Sequence, residues 1–135
     1  MVNKELFHKG IEYLEKSRYK DAEEAFLQYI ELVPEDAEAY NKLGTLYGKT
    51  NHLEKAKKYL SKAVEINPEM VSTWNNLGNI ARLEGSLEEA GEYYRKALAI
   101  DPESPIPARN LKLVERQAKW SLKKFVNLFK KKDKG

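Results

Sequence analysis

The sequence predicts an all-α protein made of three repeated helix-turn-helix units followed by a long C-terminal helix. Three observations carry that prediction. Pro34, Pro68 and Pro102 recur every 34 residues, after the related words Glu31-Leu32-Val33, Glu65-Ile66-Asn67 and Ala99-Ile100-Asp101. Between the prolines, apolar residues are spaced by three and four on both sides of a short polar break, as in two amphipathic helices joined in a hairpin. The same period returns Gly10, Gly44 and Gly78, then Ala22, Ala56 and Ala90, then Tyr19, Leu53 and Leu87. Independent columns that recur together mark a structural repeat.

The units are expected at residues 3–36, 37–70 and 71–104, with residues 105–135 forming the C-terminal stretch. In each unit a first helix runs to the breaks Lys16-Ser17-Arg18, Thr50-Asn51-His52 and Glu84-Gly85-Ser86. The second helix ends at its proline, which lacks an N–H and restrains the residue before it. Glycine inside a helix costs about 1 kcal/mol relative to alanine, so the glycine column needs a packing reason. The expectation is a close helix crossing in which Ala22, Ala56 and Ala90 complete the contact. The last helix should start near Pro105 or Pro107 and run to about Lys130, with Leu111, Val114, Ala118, Leu122, Phe125, Val126 and Phe129 on one arc.

Composition narrows the chemistry. The 135 residues are 33% charged with a mean hydropathy of -0.71, which argues against an integral membrane protein. With no cysteine and only His8 and His52, neither a thiolate site nor a histidine cluster for a metal is expected. Met1-Val2-Asn3-Lys4-Glu5 has no basic start or apolar run, so a secretory leader is not expected and the location is read as cytoplasmic, or peripheral at a membrane. The net charge of +3 averages two regions of opposite sign. Residues 1–108 carry 14 Lys and Arg against 19 Asp and Glu, a balance of -5, whereas residues 109–135 carry 10 against 2, a balance of +8. That switch assigns the C-terminal end a separate task against an acidic surface.

Trp74-Asn75-Asn76-Leu77-Gly78, followed by Ala90, Tyr94, Ala97 and Pro102, resembles the tetratricopeptide repeat family, and the likeness covers residues 3–104. The resemblance implies a right-handed superhelical solenoid whose first helices line a concave face. Positions that match the family's groove include Phe7, Ile11, Asn41, Lys42, Thr45, Asn75, Asn76, Asn79 and Arg82, expected to hold a peptide or a helix. Amide side chains both donate and accept, which suits the backbone of an extended ligand. Chaperone-binding members of the family grip a ligand's carboxylates with Lys, Asn and Arg. The matching positions here are Phe7, Ile11, Lys42, Ser72 and Asn76, so that activity is not expected.

No catalytic motif is present. Gly44-Thr45-Leu46-Tyr47-Gly48-Lys49-Thr50 imitates a phosphate-binding loop, but that motif needs four residues between its glycines and a preceding strand. The expected function is therefore a noncatalytic interaction scaffold without a cofactor, whose partner is a protein or peptide. The alternative is attachment to an anionic membrane surface or an acidic partner through Lys119, Leu122, Lys123, Lys124, Phe125, Val126, Phe129, Lys130, Lys131 and Lys132, with self-association through the same exposed face. Nucleic acid is a weaker partner for that segment, because phosphate contact would leave its apolar face uncovered.

Overall fold

The structure, a computed structural model, describes residues 3–133. Met1, Val2, Lys134 and Gly135, the last two of which close the expected C-terminal stretch, lie outside the described residues. Every element among the described residues is an α-helix: α1 (Glu5–Glu15), α2 (Tyr19–Leu32), α3 (Ala37–Lys49), α4 (Leu53–Ile66), α5 (Val71–Leu83), α6 (Leu87–Ile100) and α7 (Pro105–Asp133). Helices α1 and α2, α3 and α4, and α5 and α6 pair as hairpins, and α7 packs on α6. The odd-numbered helices touch one another in order from α1 to α7, while α2, α4 and α6 make no mutual contact. A stack held closer along one row curves toward that row, and the result is the right-handed superhelical solenoid with α1, α3, α5 and α7 on its inner side.

The turns inside the hairpins are identical in construction. Ser17, Asn51 and Gly85 occupy the left-handed region with φ of 58°, 60° and 83°. In each case the next N–H reaches back five residues, from Arg18 to Tyr13 O, His52 to Tyr47 O and Ser86 to Ala81 O, at 2.8 to 2.9 Å. This double-bonded helix end satisfies carbonyls that would otherwise be left open. The second helices stop differently: a proline follows Val33, Asn67 and Asp101 and holds each of them out of the helical region, Asn67 and Asp101 being extended. Tyr40 and Trp74 then tie the new helix to the old one, donating to Pro34 O at 2.9 Å and Pro68 O at 2.7 Å.

The glycine column does make the close crossing, but its counterpart is not the alanine column. A Cβ placed on Gly10, Gly44 or Gly78 would lie 2.4 to 2.6 Å from Phe26, Leu60 or Tyr94. The glycines thus make room for large, fully buried side chains of the second helices, while Ala22, Ala56 and Ala90 are buried elsewhere in the same interfaces. The phosphate-loop lookalike lies within α3 up to Lys49, with Gly44 against Leu60, and forms no loop around a ligand.

Helix α7 starts where the sequence placed it and runs on to Asp133, about 43 Å at 1.5 Å per residue. Its opening turns repeat the first helix of a unit. Pro107 and Val114 are buried, Leu111 packs on the Ala81, Ala90 and Tyr94 cluster, and the last turns before the overhang are steadied by an Arg95–Glu115 ion pair at 3.9 Å. From Glu115 to Asp133 every residue is exposed.

Candidate binding groove

A groove of about 920 Å³ opens along the inner face between the first and third units. Its floor and walls are held by a ladder of amides. Asn41 donates to Ser72 Oγ at 3.0 Å, and Asn76 donates to both Asn41 Oδ1 at 3.0 Å and Thr45 Oγ1 at 3.1 Å. One unit further on, Asn110 of α7 donates to Asn75 Oδ1 at 3.0 Å and Asn79 Oδ1 at 3.5 Å, the same rung repeated. Asparagine is suited to this because one side chain accepts from the next unit while donating elsewhere.

The ladder redistributes the candidates. Asn41, Lys42, Thr45 and Asn76 line the groove together with Lys4 and Ser72. Asn76 uses both N–H bonds within the ladder, which leaves its amide oxygen to accept, and the Ser72 hydroxyl, an acceptor in the ladder, retains its proton to donate. Phe7 is not part of the floor. It is 3% exposed and packs on Phe26 and Tyr29 with ring centroids 5.9 and 5.4 Å away, in a column whose other members, Asn41 and Asn75, are also buried. Ile11 is half-buried against the same core. Asn75 is 8% exposed and serves the next rung, and Asn79 accepts from the Tyr94 hydroxyl at 2.6 Å. Arg82 lies beside Tyr94, whose phenol burial pushes upward in pKa while the guanidinium pulls it back. None of Phe7, Ile11, Asn75, Asn79 and Arg82 lines the groove.

Residues from the inter-unit connection complete the wall. Tyr29 is fully buried at its base and donates to Asp36 Oδ2 at 2.6 Å. Burial, then the bond to that carboxylate, pushes the phenol up to about 12. Asp36 also caps α3 by accepting from the Glu38 N–H at 3.0 Å and meets Lys4 at 3.9 Å. Glu35 and Glu38 stand on the same rim, so the groove carries three carboxylates against the two ammonium groups of Lys4 and Lys42. The one sequence signal for this wall was Tyr29 itself, which stands in a column otherwise filled by Ala63 and Ala97.

The second candidate surface is elsewhere. Lys119, Leu122, Lys123, Lys124, Phe125, Val126, Phe129, Lys130, Lys131 and Lys132 are all exposed on the overhanging part of α7, where the Phe125 and Phe129 rings meet edge to face at 4.8 Å. No group of His, Cys, Asp and Glu that could hold a metal occurs among the described residues, and no described helix is long and apolar enough to cross a membrane.

The sequence model described as tetratricopeptide repeat matches residues 7–47 and 41–105. Comparison with curated proteins found no match. Among solved structures, the Sgt2 TPR domain from Aspergillus fumigatus is similar with a TM-score of 0.82 at 19% identity, over 87% of this chain and 80% of that one. The first TPR of Spaghetti (RPAP3), bound to the HSP90 peptide SRMEEVD, gives 0.80 at 18% identity over 84% and 90%. The Arabidopsis OM64 TPR domain gives 0.80 at 18% over 83% and 93%.

Proposed function

Since the chain belongs to the tetratricopeptide repeat family, we propose that it is a noncatalytic, cytoplasmic adaptor that holds an extended, neutral or basic protein segment in the groove between its first and third units. The observation that carries this reading is the composition of that groove: the Asn76 oxygen, the Ser72 hydroxyl and the Lys42 ammonium offer both hydrogen-bond senses to a peptide backbone. The rim carboxylates Glu35, Asp36 and Glu38 add a preference for positive charge in the ligand. A structural neighbour binds the acidic peptide SRMEEVD. Here the same kind of ligand would meet a rim with more carboxylates than ammonium groups, and Phe7, at one of the family's carboxylate-gripping positions, is buried in the core.

Selection of peptides from a random display library on the full chain tests the proposal. The selected peptides should be neutral or basic, and Ser72→Trp, which fills the groove from an exposed position, should abolish their binding in a chain that still unfolds cooperatively, its midpoint lowered only by loss of the Asn41–Ser72 bond. Lys62→Glu on an outer helix should leave binding intact. Enrichment of acidic peptides resembling SRMEEVD, or full binding by Ser72→Trp, refutes the reading.

A further inference from the structure

We propose that the overhanging half of α7 is an in-plane anchor that lays its apolar face on an anionic lipid bilayer. The inference concerns a surface separate from the groove and does not depend on what the groove holds. At 100° per residue, Leu128, Phe125, Ala118, Phe129, Leu122 and Val126 fall on an arc about 160° wide. Five of these six, all but Ala118, are large apolar side chains between 41% and 64% exposed. Up to Lys131 charge is divided to match: Lys119 and Lys130 follow one border of the arc, Lys124 and Lys131 lie near the other, and Lys123 lies between them on the opposite side. Lys132 and Asp133, past the last apolar residue Phe129, fall within the arc, and Asp133 is the only acid after Glu115.

That distribution selects a bilayer over the other occupants such a face could have. A partner helix or a protein groove buries a narrower seam and leaves the flanks of a 160° arc wet. Lysines along the borders let their methylene stems lie on the apolar boundary while the ammonium groups reach outward to phosphates, the arrangement of helices that rest at a lipid interface. A second copy brings the same uncompensated lysines, so pairing two overhangs sets like charges beside each other. Crossing is excluded for this helix, because no window of it is apolar enough. The packed turns around Leu111 and Val114 fix the overhang to the solenoid, so the anchor would hold the groove at the membrane surface.

Flotation of the full chain with phosphatidylcholine vesicles, with and without phosphatidylserine, tests the proposal. The chain should float with the anionic vesicles only, and binding should fall steeply when salt rises from about 0.1 M to about 1 M and the screening length shrinks from ~10 Å to ~3 Å. Lys123→Gln and Lys124→Gln should each reduce partitioning about fivefold, the factor equivalent to the contribution of one lysine near such a surface. Leu122→Glu with Phe125→Glu should abolish flotation without changing the melting temperature, since both side chains are exposed. Failure to float, equal recovery with neutral vesicles, or wild-type binding by the double variant overturns the inference. So does either alternative occupant: concentration-dependent dimerisation lost in Phe125→Glu without flotation, or binding of polyglutamate without flotation.

Discussion

Gly44→Ala separates a packing role for the glycine column from a passive one, because the two predict opposite signs. In an exposed helix interior the change would stabilise by about 1 kcal/mol, alanine being the better helix former. Here the new Cβ would lie 2.4 Å from both Cγ and Cδ2 of Leu60, well inside the ~3.5 to 4.0 Å at which carbon atoms rest. Leu60 is fully buried and cannot swing into solvent, so α3 and α4 must separate. Overpacking of this kind costs about 1 to 3 kcal/mol, and with the close approach at the upper end the net destabilisation should be about 1 to 2 kcal/mol. Urea titration followed by circular dichroism measures it. A double-mutant cycle supplies the control: Leu60→Ala alone should cost about 2 to 5 kcal/mol, yet in its presence Gly44→Ala should become stabilising, because the obstructing side chain is gone. A Gly44→Ala protein more stable than wild type would refute the close-crossing argument.

The left-handed turns make a second prediction: Ser17→Gly should stabilise by about 1 kcal/mol and Gly85→Ala should destabilise by a similar amount in the same titration, since only glycine occupies that region without strain. Replacing Asn41 with Ala removes one of the two acceptors of the Asn76 amide in a part-buried rung, together with the bond to Ser72, and should lower stability by about 1 to 3 kcal/mol, read from the denaturation midpoint. The Tyr29 phenol, pushed up to about 12, makes stability depend on alkali. Because its folded value lies above the ordinary value of 10, the contribution is complete below about pH 10 and lost as pH rises through about 12. Absorbance titration should show one fewer phenol ionising at high pH in Tyr29→Phe than in wild type, the remaining upward-shifted tyrosines, Tyr47, Tyr59, Tyr93 and Tyr94, being common to both.

The hairpins and their stacking were legible because proline, glycine and apolar spacing act through backbone geometry, which is local and repeats with the period. The identity of the glycines' partners was not, since it depends on which second-helix side chain reaches across, and Phe26, Leu60 and Tyr94 looked like ordinary core positions. The groove was readable only in part. Whether an asparagine faces solvent or a neighbour is decided by a residue 31 or 35 positions away, and pairs such as Asn41 with Asn76 and Asn75 with Asn110 are offset by one from the 34-residue columns. Phe7 was misplaced for a related reason: its column, Phe7, Asn41 and Asn75, is buried in all three units, and of the three only Asn41 also reaches the groove.

The overhang follows from what the fourth unit lacks. Asn110, Leu111 and Val114 continue the columns of Asn76, Leu77 and Ile80, so the first turns of α7 are bound as the next inner helix. The glycine column then reads Gly10, Gly44, Gly78 and Lys112, and the left-handed column reads Ser17, Asn51, Gly85 and Lys119. A long charged side chain at the first site leaves no room for a close second helix, and nothing at the second favours a turn. The helix therefore continues past the end of α6 instead of folding back. Stability should divide at the same place. A chain ending at Ala118 removes, among the described residues, only exposed side chains and should unfold within about 0.5 kcal/mol of the full protein. A chain ending at Ser104 uncovers Ala81, Ala90 and Tyr94 and deletes the Asn110 rung, and should lose several kcal/mol. Equal losses in the two truncations would show that residues beyond Ala118 pack on the solenoid, and would remove the basis for treating the overhang as a free surface.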